Sequence, residues 1–331
     1  MNLGRKVSCF AATVLVVGVF HAADAMAAAK ITIVGAGKGA GAFRMAGGLA
    51  EAVNKTSKSV NVTNRESKGF VANTRLVASG RSELGMTNGI FVDFIQRKQG
   101  PFAKGRAMKT LRGVGPVSTS WFQVATFQNT GIKTYMDLVG KRLNMGPRGS
   151  STLFMTKFIT DALGITDKVR KDYLGWTQAA TNMIDGKLDA FGIPNPVPSP
   201  SILQASRSKP VRILSIPDNV RDKFVKLSSG YYKATKDASP YDGMKGKSFN
   251  TVAYTIFVVS NEKVPHDVIY EVTKRTYDKK NRDFLINVFK GWKIGLDMAQ
   301  ANDEFIQQMK KFNLALHPGA ARYWKEKGYL K

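Results

Sequence analysis

The clearest indication of the fold is the segment Ile31-Thr32-Ile33-Val34-Gly35-Ala36-Gly37-Lys38-Gly39-Ala40. Its first four residues form a short apolar, β-branched run, which is typical of a buried strand. A glycine-rich turn ends the run, and behind it Phe43, Ala46 and Ala50 recur at helical spacing on one face. The segment therefore predicts a strand, a tight turn and a helix, in that order.

The same alternation continues along the chain. A second strand is predicted from Val60 to Thr63, a helix from about Val71 to Ser79, and a third strand from Glu83 to Met86. Gly80 follows that helix and is a good signal for its end. Strands that alternate with helices indicate βαβ units and parallel sheets.

The plan then recurs in the second part of the chain. Lys141 to Met145 is predicted as a strand, Gly146 to Ser151 as a turn, and Thr152 to Leu163 as a helix. A further helix, for which Thr177 is the expected N-cap, leads into a short strand at Asp189-Ala190-Phe191. The repeated order indicates two lobes of like architecture.

Two long apolar segments, Trp121 to Phe127 and Thr251 to Ser260, are expected to cross between the lobes. After the second crossing the chain is predicted to be mainly helical. The expected fold is α/β, with two mainly parallel sheets flanked by helices, a hinge and a central cleft. Residues 28–122 and 256–331 are assigned to lobe I and residues 123–255 to lobe II. Ligands of open α/β sheets bind at the carboxyl ends of strands, which here would face each other across the cleft.

The N-terminus has the order of a secretory signal peptide. Arg5 and Lys6 precede an uncharged run from Val7 to Phe20, and small residues such as those in Ala25-Met26-Ala27 follow. The run is shorter than the roughly 20 residues of a membrane span. We therefore assign residues 1–27 to a signal peptide and the mature chain to the periplasm, with an N-terminal membrane anchor as the alternative.

The single cysteine, Cys9, lies inside that apolar run. A lipid anchor would need its cysteine just after the run, so the mature chain is expected to be free and not lipid-anchored. Without any other cysteine it has no disulfide, no thiol nucleophile and no thiolate metal site. No later segment is apolar and long enough to be embedded in a membrane.

The formal net charge is +26, with Lys and Arg spread through the whole chain. Such a charge fits a solvated basic surface, nucleic acid, an anionic membrane surface or an anionic ligand. Because the chain is predicted to be secreted, nucleic acid is not the expected partner. A small anionic ligand remains as the partner that a cleft can hold.

Motifs of catalysis are missing from the sequence. His266 and His317 are the only histidines after the signal peptide, and neither has metal-ligand spacing. There is no G-x-S-x-G elbow. The turn at Gly35 to Ala40 fits G-x-G-x-x-A, but Asn64-Arg65 stands where a dinucleotide site needs an acid. We expect no catalytic residue, metal or cofactor, and keep a secreted NAD-dependent oxidoreductase as a lesser alternative.

Two glycine-rich turns, at Gly35 to Ala40 and at Gly146 to Thr152, instead predict an anion site. Each precedes a helix, whose N-terminal amides and positive dipole end attract an anion. We expect Lys38, Lys68 and Arg148 to grip the ligand between these turns, because each lies in or beside one of them. Trp176 is the expected wall of the cleft.

The ending Leu316 to Trp324 and the segments Asp137 to Arg142 and Asp185 to Ala190 resemble motifs of the TAXI-type solute receptors of TRAP transporters. The ending Leu316-His317-Pro318-Gly319-Ala320-Ala321-Arg322-Tyr323-Trp324 is similar to the family's "LHPGA-x-RYY", and Asp137 to Arg142 resembles its "DLKGKRV". Asp185 to Ala190 resembles "DGKIDA", a motif of many periplasmic binding proteins. The resemblance covers nearly the whole mature chain.

This resemblance implies a type II periplasmic-binding-protein fold and a monomeric receptor that delivers organic acids or amino acids to a TRAP-type permease in the inner membrane. It implies ligand contacts at Gly37 to Phe43, Ser67 to Asn73 and Gly146 to Thr152. The expected ligand-binding residues are Gly37, Lys38, Gly39, Phe43, Ser67, Lys68, Asn73, Thr87, Asn88, Arg148, Gly149, Ser150, Ser151, Thr152, Trp176 and Asn195.

The sequence also departs from the family. Gly39-Ala40-Gly41-Ala42-Phe43 replaces "G-G-x-Y-Y", and Met86-Thr87-Asn88 replaces "Q-S-D". The identity of the ligand is therefore not carried over from the family. The nearest alternative is the receptor of an ABC importer of the nitrate, taurine or thiamine-precursor type, and a basic surface adhesin is a further one.

Overall fold

The computed structural model describes Met1, residues 27–301 and residues 304–330. The predicted signal peptide falls almost wholly outside these residues. The described residues from 27 onward form two α/β lobes of the type II periplasmic-binding-protein class, with helices on the faces of a mixed sheet.

The first lobe begins with the predicted strand–turn–helix unit. Its strands β1 and β2 are parallel, and β1 also pairs in parallel with β3. The prediction of alternating strands and helices is confirmed here, with bounds that differ by only a few residues. The elements are β1 (Ala29–Val34), α1 (Gly41–Thr56), β2 (Val60–Arg65), α2 (Phe70–Ala78), β3 (Leu84–Asn88) and α3 (Gly89–Arg97).

The second lobe follows a long strand, β4 (Leu111–Phe127), which carries the chain across. Strand β5 pairs in parallel with β6 and β7, as the repeated sequence plan predicts. The elements are β5 (Arg142–Asn144), α4 (Ser151–Ala162), β6 (Arg170–Asp172), α5 (Trp176–Ile184), β7 (Ala190–Asn195), α6 (Pro200–Ser208), β8 (Val211–Ile213), α7 (Asp218–Leu227) and β9 (Tyr232–Asp237).

The chain returns through β10 (Ser248–Asn261), which is antiparallel to β4 from Ala253 opposite Trp121 to Asn261 opposite Leu111. In the first lobe β10 also pairs with β3, and in the second lobe β4 also pairs with β7. The strand order is β2-β1-β3-β10-β4-β7-β5-β6. Both predicted crossing strands are thus present and longer than predicted. The assignment of lobe boundaries near residues 122 and 255 stays a prediction.

The C-terminal helices pack on the first-lobe half of β4. The indole Nε1 of Trp324 donates to the carbonyl oxygen of Val114 at 2.8 Å, and the Tyr277 hydroxyl donates to that of Pro116 at 2.8 Å. Gly295 lies so close to the strand that a Cβ would be 2.1 Å from the Val117 carbonyl oxygen. These helices are α8 (His266–Tyr277), α9 (Arg282–Val288), α10 (Trp292–Gln300), α11 (Glu304–Lys310) and α12 (Pro318–Glu326).

His317 is the N-cap of α12. Its Nδ1 accepts a hydrogen bond from the Gly319 amide at 3.2 Å, and its Nε2 lies 3.0 Å from the Val264 carbonyl oxygen. Since Nδ1 accepts, Nε2 carries the proton and the ring is neutral. Burial lowers the pKa of His317 to about 4, below its ordinary value of 6.5.

The low pKa makes folding depend on pH. Between pH 6.5 and 4 the unfolded chain binds a proton at His317 and the folded chain does not. This contribution to stability is therefore complete above pH 6.5 and is lost as the pH falls to 4, by up to about 3 kcal/mol. We expect His317→Asn, which keeps an N-cap acceptor, to flatten the dependence of the free energy of unfolding on pH in this window. Urea titrations at several pH values test this; an unchanged slope would contradict it.

Candidate functional site

The candidate site is a cavity between the two lobes, floored by the crossing strands. Its volume is about 20 Å³, room for about one water molecule. A ligand of several heavy atoms therefore needs the lobes to move apart where β4 and β10 cross. The cavity is lined by Ala36, Ala40, Ala42, Gly69, Phe70, Ser120, Ser151, Trp176, Pro194, Asn195 and Ile256.

The N-termini of α2 and α4 meet at this cavity, one from each lobe. In α2 the Ala72 amide donates to the Gly149 carbonyl oxygen at 2.9 Å across the cleft, and the Asn73 amide donates to that of Gly69. The amides of Phe70 and Val71 have no acceptor within the described part of the chain. A helix leaves its first amides free in this way, and they form the positive end of its dipole.

Helix α4 presents the same arrangement from the second lobe. The Ser150 hydroxyl caps it by accepting from the Leu153 amide at 3.1 Å and donates to the Pro147 carbonyl oxygen at 2.6 Å. The amides of Ser151 and Thr152 find no acceptor among the residues described. Phe70 and Ser151, the first residues of these two helices, both line the cavity, so free amides from both lobes lie at it, which is a good environment for an anion.

A cluster of uncharged polar side chains lies next to the lining residues Ser120 and Ser151. The Tyr254 hydroxyl donates to Ser151 Oγ at 3.4 Å. Burial raises the pKa of Tyr254 to about 12, although the nearby side chains of Ser151, Ser120 and Asn88 lower it in part. Tyr254 is therefore a neutral donor at physiological pH.

Asn88 completes this cluster and also caps α3. Its Oδ1 accepts from the Phe91 amide at 2.9 Å. Its side chain is fully buried, and its Nδ2 has no hydrogen-bond partner in the described chain. A buried amide donor without a partner is rare in a folded protein, since it loses its bonds to water.

Few hydrogen bonds hold the lobes together beside the cavity. The Gly41 amide donates to Asn195 Oδ1 at 3.2 Å, and the Ser201 hydroxyl donates to the Gly39 carbonyl oxygen at 2.9 Å. The Thr177 hydroxyl donates to the Lys38 carbonyl oxygen at 3.3 Å. The first glycine-rich turn thus presents its backbone, not its side chains, to the second lobe.

This contact explains Gly39 and Gly41, two further glycines in and after the first glycine-rich turn. Gly39 has φ +85°, and a Cβ there would lie 2.2 Å from Thr177 Oγ1. A Cβ at Gly41 would lie 2.5 Å from Asn195 Oδ1. The chain needs glycine at these two positions because the second lobe approaches it closely.

The amide of Asn195 is held in one orientation. Its Oδ1 accepts from Gly41 and its Nδ2 donates to Ser199 Oγ at 3.1 Å. The Gln123 amide Nε2 donates to the Asn195 carbonyl oxygen at 3.0 Å, and the Tyr241 hydroxyl donates to Gln123 Oε1 at 2.6 Å. This buried network fixes Asn195 as an acceptor for the first lobe.

Trp176 lies in the wall of the cavity, where the sequence placed it. Its Nε1 donates to Thr152 Oγ1 at 3.0 Å, and a Cβ at Gly37 or Gly69 would lie 3.6 Å from its ring. One detail of the prediction is wrong: α5 begins at Trp176 with Gly175 as N-cap, so Thr177 is not the cap. Its hydroxyl reaches Lys38 instead.

The predicted grip by three cations is not formed in this structure. The Lys38 side chain is 78% exposed and pairs with Glu66 at 3.3 Å. The Arg148 guanidinium lies 4.5 Å from the centre of the Tyr173 ring, and Lys68 is exposed. The tight turns direct their backbone inward, so these long side chains extend into solvent and none of them lines the cavity.

Other predicted residues support the site without lining it. Asn73 donates from Nδ2 to the carbonyl oxygens of Val34, Gly35 and Met86, which holds the first turn against α2. The Thr87 hydroxyl bonds that of Thr74 at 2.7 Å. Ser67 Oγ accepts from the Gly69 amide at 3.2 Å. Phe43 is half-buried and stands outside the lining.

Sequence reasoning missed Ser120 and Tyr254 on the crossing strands. Both are polar residues within long apolar segments, which is the one signal that marks them. In the described part of the chain, no group of His, Cys, Asp and Glu side chains could hold a metal ion. Nor is any helix there long and apolar enough to span a membrane.

Gly39 provides a test of lobe closure. We expect Gly39→Ala to keep the lobes apart, because its Cβ would collide with Thr177 Oγ1, and so to raise the radius of gyration in small-angle X-ray scattering. Gly140→Ala is the matched control: its φ is +77°, but a Cβ there meets nothing within 4 Å. Both variants carry backbone strain of about 1 kcal/mol, so an equal radius for the two would contradict the role of Gly39.

Several solved structures of known proteins are similar to this chain at low sequence identity. The structure described as a periplasmic transporter is similar at a TM-score of 0.50 and 13% identity, over 83% of this chain and 96% of that one. The alkanesulfonate-binding protein of Xanthomonas axonopodis pv. citri bound to MOPS shares 15% identity over 90% and 83%, at a TM-score of 0.43. An ancestral arginine-binding protein bound to arginine shares 14% over 80% and 99%, at 0.49.

The family comparison covers nearly the whole described chain. The model of the NMT1-like family matches residues 33–328, from the first strand to the end of the last helix. The chain therefore belongs to the NMT1-like family.

Proposed function

We propose that this chain is a periplasmic solute receptor that captures a small anion between its two lobes and delivers it to a membrane importer. One observation carries the proposal: the free N-terminal amides of α2 and α4, one helix from each lobe, converge on one cavity. A ligand held by both helices links the lobes, and this link favours the closed arrangement. The receptor acts as a monomer and carries out no reaction.

For the importer we propose the ABC class, with the TRAP permease as the alternative. The family model that matches is the NMT1-like one, so the TAXI resemblance of the C-terminal motif does not decide the transporter. Neighbouring genes discriminate the two classes. An ATPase beside a permease supports the ABC importer, whereas a multi-span permease without an ATPase supports the TRAP transporter.

Binding is tested by thermal stability. The mature chain from residue 28 is unfolded, refolded and screened against organic acids, sulfonates and amino acids. A ligand at a hundred times its dissociation constant adds about 2.7 kcal/mol to the free energy of unfolding, so we expect the melting temperature to rise by several degrees for one ligand class.

The two glycine variants serve as controls for closure in this screen. Gly39→Ala should lose much of the rise because its lobes cannot close on the ligand, whereas Gly140→Ala should keep it. Trp176 lies in the cavity wall and gives a second readout, a change in tryptophan fluorescence on binding. No rise and no fluorescence change across all three ligand classes would contradict the receptor function.

A further inference from the structure

We propose that the ligand is a small monoanion without an ammonium group, such as a short carboxylate or sulfonate on an apolar body. The inference rests on the proposed receptor function and narrows its ligand from organic acids and amino acids in general. It follows from which charges, donors and acceptors the cavity contains.

Among the described residues, no charged side chain lines the cavity. The lining consists of small, apolar, aromatic, serine and asparagine residues. One negative charge can be stabilised by amides and hydroxyls. A second negative charge would have to lose its water without a cation to compensate it, which is costly. The cavity therefore favours a monoanion over a dicarboxylate.

An ammonium group would find no partner of opposite charge among the described lining residues. An amino acid would need a carboxylate or several free acceptors in the cavity, and no carboxylate of the described residues lines it. The side-chain oxygen of Asn195 already accepts from Gly41. In addition α1, α2, α4 and α5 all begin at or beside the lining, so positive dipole ends surround the cavity. This field opposes a buried cation.

Side chains beside the cavity provide hydrogen-bond donors in addition to the helix termini. Tyr254 is neutral and donates towards Ser151, a lining residue. Asn88, fully buried, keeps a free Nδ2 donor, and its side chain lies close enough to the Tyr254 hydroxyl to lower the pKa of Tyr254. With the free amides of the lining residues Phe70 and Ser151, these groups form a set of donors without a matching set of acceptors. An oxyanion head with two or three oxygens satisfies it.

The apolar part of the lining limits the chemistry of the ligand's body. Trp176, Phe70, Ile256 and Pro194 form apolar walls around these donors. Polar substituents on the ligand would lose their hydrogen bonds to water against such walls. The body is therefore short and apolar.

Matched ligands test the inference by isothermal titration of the mature chain. The pair 3-methyl-2-oxobutanoate and valine share one carbon skeleton and differ in a keto or an ammonium group. Butanesulfonate and succinate form a second pair, which compares a sulfonate monoanion with a dianion. We expect a monoanion to bind, and valine and succinate to bind at least about a hundredfold more weakly, because a charged group would be buried without a partner.

The outcomes separate the inference from the proposed function. Tighter binding of valine or succinate than of the monoanions overturns the inference and leaves the receptor function standing. Binding of only the carboxylate or only the sulfonate supports the inference and identifies the head group. No binding by any of these ligands or by the wider screen overturns both.

Two variants test the donors directly. Asn88→Asp keeps the cap of α3 but replaces the free donor with an acid, so monoanion binding should fall at least about a hundredfold by like-charge repulsion. Asn219→Asp makes the same charge change at an exposed position of α7 and should leave binding unchanged. Ser151→Ala, which spares the Ser150 cap, should weaken binding about tenfold. Unchanged affinity in both cavity variants, with melting temperatures that show a folded chain, would overturn the assignment.

Discussion

The pairing of β4 with β10 joins the two lobes and determines where they can move relative to each other. The two strands run antiparallel from Leu111 opposite Asn261 to Trp121 opposite Ala253 and are the ladder common to both lobes. They also carry Ser120 and Ile256 to the floor of the cavity and place the Tyr254 hydroxyl against Ser151. Because the C-terminal helices bond the first-lobe half of β4, through contacts such as Trp324 to Val114, that half is rigidly held. Relative motion of the lobes therefore has to occur at the crossing.

Closure beside the cavity depends on few and mainly backbone contacts. Four hydrogen bonds join the lobes there, from Ala72, Gly41, Ser201 and Thr177. Each contributes about 1 kcal/mol net at most, since the open form bonds to water instead. A ligand that satisfies the free amides of both α2 and α4 adds stabilisation of similar size. The balance between open and closed forms is thus within reach of a single small anion.

Much of the fold could be predicted because its signals are local. The apolar run at β1, the glycine turn and the helix behind it follow from residue spacing, and so does the repeat in the second lobe. The site was harder to predict. Lys38 and Arg148 flank the correct turns, but the direction of a long side chain depends on the backbone of the turn, which here faces inward. Tyr254 and Ser120 could not be assigned to the cavity until the register of β4 against β10 was known.

The contrast between an uncharged cavity and a net charge of +26 has a physical explanation. A buried cation would have to be desolvated, whereas an exposed one acts on a ligand through the field without that cost. Lys68 and Arg148 lie in solvent on loops whose ends reach the cavity at Gly69 and Ser151. For the anion receptor that we propose, such exposed cations would raise the local concentration of anions and the rate of capture. The amides and hydroxyls inside then decide which anion is retained.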